Sequence, residues 1–234
     1  MTKHAPGCAI DWTAIELVVF DIDGTLYDQR ALRIRMAREM LPDALLGRSI
    51  RVFRVIRAYR RIRERLGEQE VEDFEPKLIA ATASTAGCTQ ADVLAIVEEW
   101  IERRALPHLA ELRYEGLPEL LSALSQKGKA IGVFSDYPAA RKLAALNVRA
   151  DYVVCAGDSA CGLLKPHPRG LENLIAAAGV TPAATILIGD RTDRDGLAAK
   201  RAGTRCLIRS SGSVEGWQTF ADYRDRVFAP LLAR

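Results

Sequence analysis

From Gly116 onward, short apolar runs alternate with helix-like segments, and that alternation most limits what the chain can fold into. Ala130–Phe134, Tyr152–Cys155, Thr185–Ile188 and Arg205–Ile208 are short and apolar and read as strands. Leu117–Gln126, Pro138–Ala145, Pro168–Ala178 and Gly196–Ala202 read as the helices between them, with Gly128, Gly179 and Gly203 just past three of their ends. Strands that alternate with helices imply βαβ units and a mostly parallel sheet. Glu16–Phe20 reads as one more buried strand, placed far upstream.

The sheet is therefore interrupted, because its first strand lies near residue 18 and the next near residue 131. Tyr27 to about Leu112 reads as almost wholly helical. Ala31–Leu41 is one expected helix, stopped by Pro42, and Leu46–Leu66 is a second, stopped by Gly67. In the second, Val52, Val55, Ile56, Tyr59, Ile62 and Leu66 form an apolar stripe. Phe74–Ala86 ends at Gly87, Thr89 with Asp92 opens another helix, and Pro107 is expected to close the region. After the last strand, Phe220, Tyr223, Val227 and Leu231 suggest a closing helix. The expected fold class is α/β: a doubly wound, Rossmann-like parallel sheet core, residues 1–28 and 113–234, carrying an inserted all-helical domain, residues 29–112.

The chemistry gathers where the strands end. Asp21 and Asp23 follow the first strand, separated by one residue, so in extended backbone they point to the same side. Two such carboxylates repel unless a cation or a shared proton lies between them. Ser135 follows Phe134, Lys165 stands in Leu163–Pro166, and Asp190 follows Gly189, with Asp195 five residues on. Open α/β sheets bind ligands outside the carboxyl ends of their strands, so these groups are expected to share one crevice. Carboxylates suit a hard cation such as Mg2+, and a lysine and a hydroxyl suit phosphate oxygens. Taken singly, Lys165 reads equally as a loop lysine, Ser135 as a helix-start hydroxyl, and Asp190 and Asp195 as turn and cap residues. Their order along the chain favours a site.

Asp21-Ile22-Asp23-Gly24-Thr25-Leu26, Ser135, Lys165-Pro166 and Gly189-Asp190 with Asp195 resemble, in order, the four motifs of the haloacid dehalogenase-like (HAD) hydrolases. The resemblance covers the sheet portion, and the helical segment matches that family's cap by position. It implies Asp21 as nucleophile and metal ligand, and Asp23 as general acid/base that also gives its backbone carbonyl to Mg2+. It implies Asp190 as a further ligand, Asp195 in a supporting role in which Asp193 competes, and Ser135 and Lys165 on the phosphoryl oxygens. Gly24 and Asp136 would offer backbone N–H groups. The expected activity is hydrolysis of a small phosphorylated metabolite through an aspartyl-phosphate. A dehalogenase or a phosphotransferase (mutase) of the same family is the alternative. Asp23 favours the phosphatase, since a halide leaves without a proton and an alkoxide does not.

Charge adds a second feature. Net charge is +3, yet Arg30–Arg65 alone carries +9, leaving −6 elsewhere. Arg51, Arg54, Arg57, Arg61 and Arg65 stripe one helix and read as a solvated face, an electropositive cap or a polyanion-binding surface. A non-catalytic polyanion binder is thus an alternative from another class. Nucleic acid ranks last, because no nucleic-acid motif is present and aromatics are 6%. Tyr59 and Arg57 are the expected selectivity residues of the cap. Five scattered cysteines without a Cys-x-x-Cys pair disfavour zinc and disulfides, and Cys155 and Cys206 read as buried thiols. His167, beside Lys165, reads equally as a pocket or a loop residue. No apolar run is long enough for a bilayer, and the N-terminal residues lack a signal-peptide pattern, so a cytoplasmic protein is expected.

Overall fold

A computed structural model describes residues 10–40 and 49–233. Its sheet is wholly parallel, with strands β1 (Leu17–Phe20), β2 (Ala130–Ser135), β3 (Tyr152–Cys155), β4 (Thr185–Gly189), β5 (Arg205–Arg209) and β6 (Gln218–Phe220). The spatial order is β3-β2-β1-β4-β5-β6. β1 lies at the centre with all four residues buried, as a short, apolar and β-branched run requires. The chain winds outward from β1 through β2 and β3, then returns to its other side for β4 and β5. Strand order therefore reverses at β1, where a crevice opens beyond the carboxyl ends. In register, Phe20 sits beside Val133 and Ile188, so Asp21, Ser135 and Asp190 all emerge at one end of the sheet.

Among the described residues, five α-helices fall between β1 and the remainder of the sheet portion: α1 (Gln29–Glu39), α2 (Ser49–Glu68), α3 (Phe74–Ala86), α4 (Gln90–Val97) and α5 (Leu106–Leu112). A π-helical stretch, Glu98–Arg103, extends α4. Two of these starts, those of α1 and α4, have a local cause. Asp28 accepts the Ala31 N–H at 2.9 Å, and Thr89 and Asp92 form a reciprocal capping box. The chain leaves and re-enters the sheet portion side by side: Asp28 N–H donates to Leu112 O, and Tyr114 N–H to Leu26 O. That pairing holds the helical insertion directly over the strand ends.

The remaining helices, α6 (Leu117–Gln126), α7 (Ala140–Leu146), α8 (Arg169–Ala178), α9 (Leu197–Ala202) and α10 (Ala229–Leu232), belong to the sheet portion. None of the described helices is long and apolar enough to cross a membrane.

Several expectations need correction. Gly67 does not stop α2, which runs on to Glu68; the chain turns instead at Glu70, with φ 51. Pro107 does not close the region but sits in the first turn of α5, where a missing N–H costs nothing. The closing helix does not form as one piece. Phe220 is on β6, Val227 lies in a 3-10 turn (Arg226–Phe228), and Leu231 is on α10. Their helix-like spacing has another cause: short elements that each turn a large side chain inward, where Phe220, Tyr223, Phe228 and Trp12 pack ring against ring. Trp12 also donates to Val227 O at 2.7 Å. Cys155 and Cys206 are half-buried, and Cys161 is the fully buried free thiol. The start of α2 at Leu46, the stop at Pro42 and Cys8 lie outside the described residues.

Candidate active site

β1 delivers Asp21 into the crevice, where the residue is 6% exposed. One oxygen accepts from Lys165 Nζ at 2.6 Å and the other from Thr25 Oγ1 at 2.9 Å. Lys165 Nζ also donates to Asp195 Oδ1 at 2.7 Å and to Phe134 O at 3.2 Å. The loop that carries Lys165 is tied down by its own N–H, which donates to Asp136 Oδ1 at 2.9 Å.

Two glycines make this arrangement possible. Gly24 has φ +95°, and a Cβ there would fall 2.2 Å from Asp190 Oδ2. At Gly189 a Cβ would fall 2.3 Å from Asp195 Cγ. The chain after β4 takes a π-helical turn, Thr192–Gly196, which brings Asp195 back over Gly189 and lets it accept the Arg191 N–H at 3.1 Å.

As a result, Asp21, Asp190 and Asp195 each present an oxygen within 4.8 Å of the others. Burial raises Asp21 well above the usual carboxylate range; Lys165 opposes this, and Asp195 and Asp190 add to it. Burial and Asp195 push Asp190 up to about 7. Burial would lower Lys165, but Asp195 and Asp21 more than offset it and hold it well above its ordinary value. Three carboxylates thus crowd together beside one ammonium, which bonds only Asp21 and Asp195, and the set of candidate ligand atoms is all oxygen. A hard divalent cation fits this set on both charge and ligand type.

Asp23 lives in a different environment. Its carboxylate is outside that cluster and takes two 2.7 Å bonds from Lys142 Nζ and another from Tyr27 Oη. Burial alone would raise Asp23, but Lys142 and the Tyr27 hydroxyl outweigh it and leave the carboxyl below its usual range. Burial beside Asp23 raises Tyr27, so its hydroxyl stays a donor.

The other expected residues are placed as follows. Ser135 ends β2, is 1% exposed, and accepts the Tyr137 N–H at 3.2 Å. Asp136 and Lys165 line the crevice. Asp193 is outside it, paired with Arg191 at 2.6 Å. His167 accepts the Arg169 N–H at 3.2 Å and does not line the crevice.

The crevice widens into a cavity of about 400 Å³ that α1, α2 and the π-helical stretch roof over. Here the sequence-based choice of insertion residues differs from what the fold presents. Arg57 is exposed outside the cavity, as are Arg51, Arg54, Arg61 and Arg65, and Tyr59 lies in the apolar stripe behind the wall. The lining instead includes Arg33, Arg60 and Arg63. Lys142 and Tyr27 were also missed. Tyr27 is four residues beyond Asp23, and Lys142 looks like any surface lysine on a short helix. Arg63 did leave a signal: it falls four residues after Tyr59, on the apolar side of α2.

Ion pairs tie the insertion to the sheet portion across this cavity. Arg191 pairs with Glu64 at 2.9 Å, and a hydrogen bond from Arg194 to Glu64 O at 2.8 Å joins the same two portions.

Comparison with known proteins agrees with this geometry. No protein of curated function matches the sequence. Among solved structures, 2-haloacid dehalogenase from Pseudomonas syringae pv. Tomato DC3000 shares 22% identity at a TM-score of 0.63, covering 94% of this chain and 99% of that one. The HAD-hydrolase YfnB of Bacillus subtilis, bound to magnesium, shares 15% at 0.65, covering 93% and 98%. CbbY of Rhodobacter sphaeroides, in complex with phosphate, shares 21% at 0.59, covering 89% and 95%. At such identities these likenesses establish the fold. The family model of haloacid dehalogenase-like hydrolases matches residues 15–203, most of the chain including every carboxylate described above. The chain belongs to the haloacid dehalogenase-like hydrolases, and is an enzyme of that family.

Proposed function

We propose that the chain is a Mg2+-dependent phosphatase of a small phosphate monoester, with residues 29–112 acting as a cap over a core of residues 1–28 and 113–234. The observation that carries this reading is the cluster of Asp21, Asp190 and Asp195, two of them paired with Lys165. A magnesium ion bound there would offset the repulsion between Asp21 and the oxygens of the phosphate. The solved relatives bound to magnesium and to phosphate support the same chemistry.

The chain's own groups then divide the work. Thr25 and Lys165 orient Asp21, whose carboxylate oxygen attacks phosphorus and forms an aspartyl-phosphate. Lys165 sits where it also meets the phosphoryl oxygens, with Ser135 and the backbone N–H groups of Gly24 and Asp136 as further donors. Asp23, protonated when substrate binds, passes that proton to the departing alkoxide and takes one back from the water that releases phosphate. Lys142 and Tyr27 are positioning residues that hold Asp23 in line. The cap excludes bulk water and bounds substrate size.

Dehalogenation is the second reading, favoured by two observations: Lys142 holds Asp23 ionised while a halide needs no proton to leave, and solved relatives include the 2-haloacid dehalogenase of Pseudomonas syringae. Two assays separate the readings. The phosphatase hydrolyses p-nitrophenyl phosphate, loses this with excess chelator, and loses at least about 10³-fold with Asp21→Asn. Chelator-insensitive halide release from 2-chloropropionate, without ester hydrolysis, would instead establish the dehalogenase.

A further inference from the structure

The cations that line the cavity fall into two groups. Lys142 is paired with Asp23, Lys165 with Asp21 and Asp195, and Arg191 with Glu64 and Asp193. Arg194 is spent on two carbonyls and on Glu68 at 3.5 Å. Arg33, Arg60 and Arg63 differ: among the described residues, none has a carboxylate within ion-pair distance. Arg33 on α1 and Arg60 on α2 open to solvent on the cavity wall.

Arg63 is the sharpest case. It is 5% exposed, yet it lines the cavity. Its guanidinium lies 4.1 Å over the Tyr137 ring and 5.0 Å from that of Phe74. Nη1 donates to the Tyr59 hydroxyl at 3.0 Å, while Nε has no partner. Stacking of a cation on aromatic faces is worth about 2 kcal/mol when desolvated. Removing a charge from water costs several kcal/mol even after relaxation, so the rings alone do not offset it. A structural role leaves a buried cation, an idle donor and two further arginines unexplained. A ligand anion accounts for all three, because a guanidinium fork matches carboxylate and phosphate oxygens.

We propose that the cavity takes a small phosphate monoester bearing a second anionic group, which Arg33, Arg60 and Arg63 of the cap receive while the ester faces Asp21. The inference rests on the phosphatase reading of the same cavity. The volume of about 400 Å³ holds a short molecule of this kind. The second group is a carboxylate or another phosphate; both present the same fork of anionic oxygens.

Three esters of matched length test this: propyl phosphate, 3-(phosphonooxy)propanoate and propane-1,3-diyl bisphosphate. Each is titrated calorimetrically into Asp21→Asn protein with Mg2+, and each is offered to the wild-type enzyme for hydrolysis. The expected result is that one or both bis-anionic esters bind at least about tenfold tighter than propyl phosphate, the tighter arm identifying the second group. Arg33→Gln and Arg60→Gln, both at solvent-open positions, are expected to cut that preference to about threefold or less; Arg63→Gln should do the same if it folds. Arg57→Gln, outside the cavity, should retain the preference. Equal binding of the three esters, or a preference untouched by Arg33→Gln and Arg60→Gln, overturns the inference. A preference without hydrolysis of any ester overturns the phosphatase reading and supports the anion site. Binding of none overturns both.

Discussion

At the scale of single residues, the site turns on two aspartates two positions apart that the fold treats in opposite ways. Asp21 meets two more carboxylates and one lysine; Asp23 meets a lysine and a tyrosine of its own. The two carboxyls are therefore shifted in opposite directions, Asp21 upward by burial and Asp23 downward by Lys142 and Tyr27. Lys142 is the residue that decides this for Asp23. Removing one partner of a buried pair leaves the other uncompensated, so Lys142→Met is expected to lower unfolding free energy by about 3–5 kcal/mol in urea titration. Asp23→Asn combined with Lys142→Met should recover part of that loss. Fully additive single and double changes would show that the pair is not energetically coupled. Asp21 and Asp23 were legible from their spacing, because alternation in extended backbone is local. Lys142 was not, because the bond joins positions 119 residues apart and nothing near Lys142 distinguishes it.

At the scale of elements, periodicity and capping account for most of what was expected, and the structure assigns the faces. The stripe Val55, Ile56, Tyr59 and Ile62 is buried, and the arginines beside it stay in water. Arg51, Arg54, Arg57, Arg61 and Arg65 line no part of the cavity, so they do not meet a ligand bound there. Arg57→Gln and Arg61→Gln are expected to change ester hydrolysis by less than about twofold; a larger loss of kcat/KM would place that face in catalysis after all. The Thr89–Asp92 box is a purely local device, so Thr89→Ala should cost about 1 kcal/mol in denaturant titration, with hydrolysis unchanged. The missed elements at the chain's end show where periodicity fails. Phe220, Tyr223, Val227 and Leu231 satisfy a helical pattern, but β5 offers an open edge, and Leu207, Ile208 and Arg209 take up Gln218, Thr219 and Phe220 as a parallel strand. A ladder partner nearby in space overrides a pattern read along the chain.

At the scale of the whole molecule, a helical insertion leaves and returns at one point and closes over the strand ends. The cluster beneath it sets three carboxyls against one ammonium, with Asp21 and Asp190 both raised by burial, and Asp195 adding to each. A cation that binds only the folded form therefore stabilises it, by about 2.7 kcal/mol at a hundredfold excess over Kd. For a chain of this size that corresponds to a rise of about 5–11 °C in Tm. Calorimetric scans with and without Mg2+ are expected to show it in the wild type and to show little of it in Asp190→Asn. An unchanged wild-type Tm at millimolar Mg2+ would remove the cation from this cluster.

The sequence by itself determined the alternation of strands and helices, the interruption after the first strand, and the carboxylates, serine and lysine at the strand ends. These follow from side-chain periodicity, caps and short spacings, all of which act within a few residues. Only the tertiary structure decided which groups meet: Lys142 with Asp23, Lys165 between Asp21 and Asp195, and Arg63 of the helical insertion at the cavity with an unpaired nitrogen. Those contacts join segments far apart in the chain, and burial, which makes each of them matter, exists only where the helical insertion packs over the sheet.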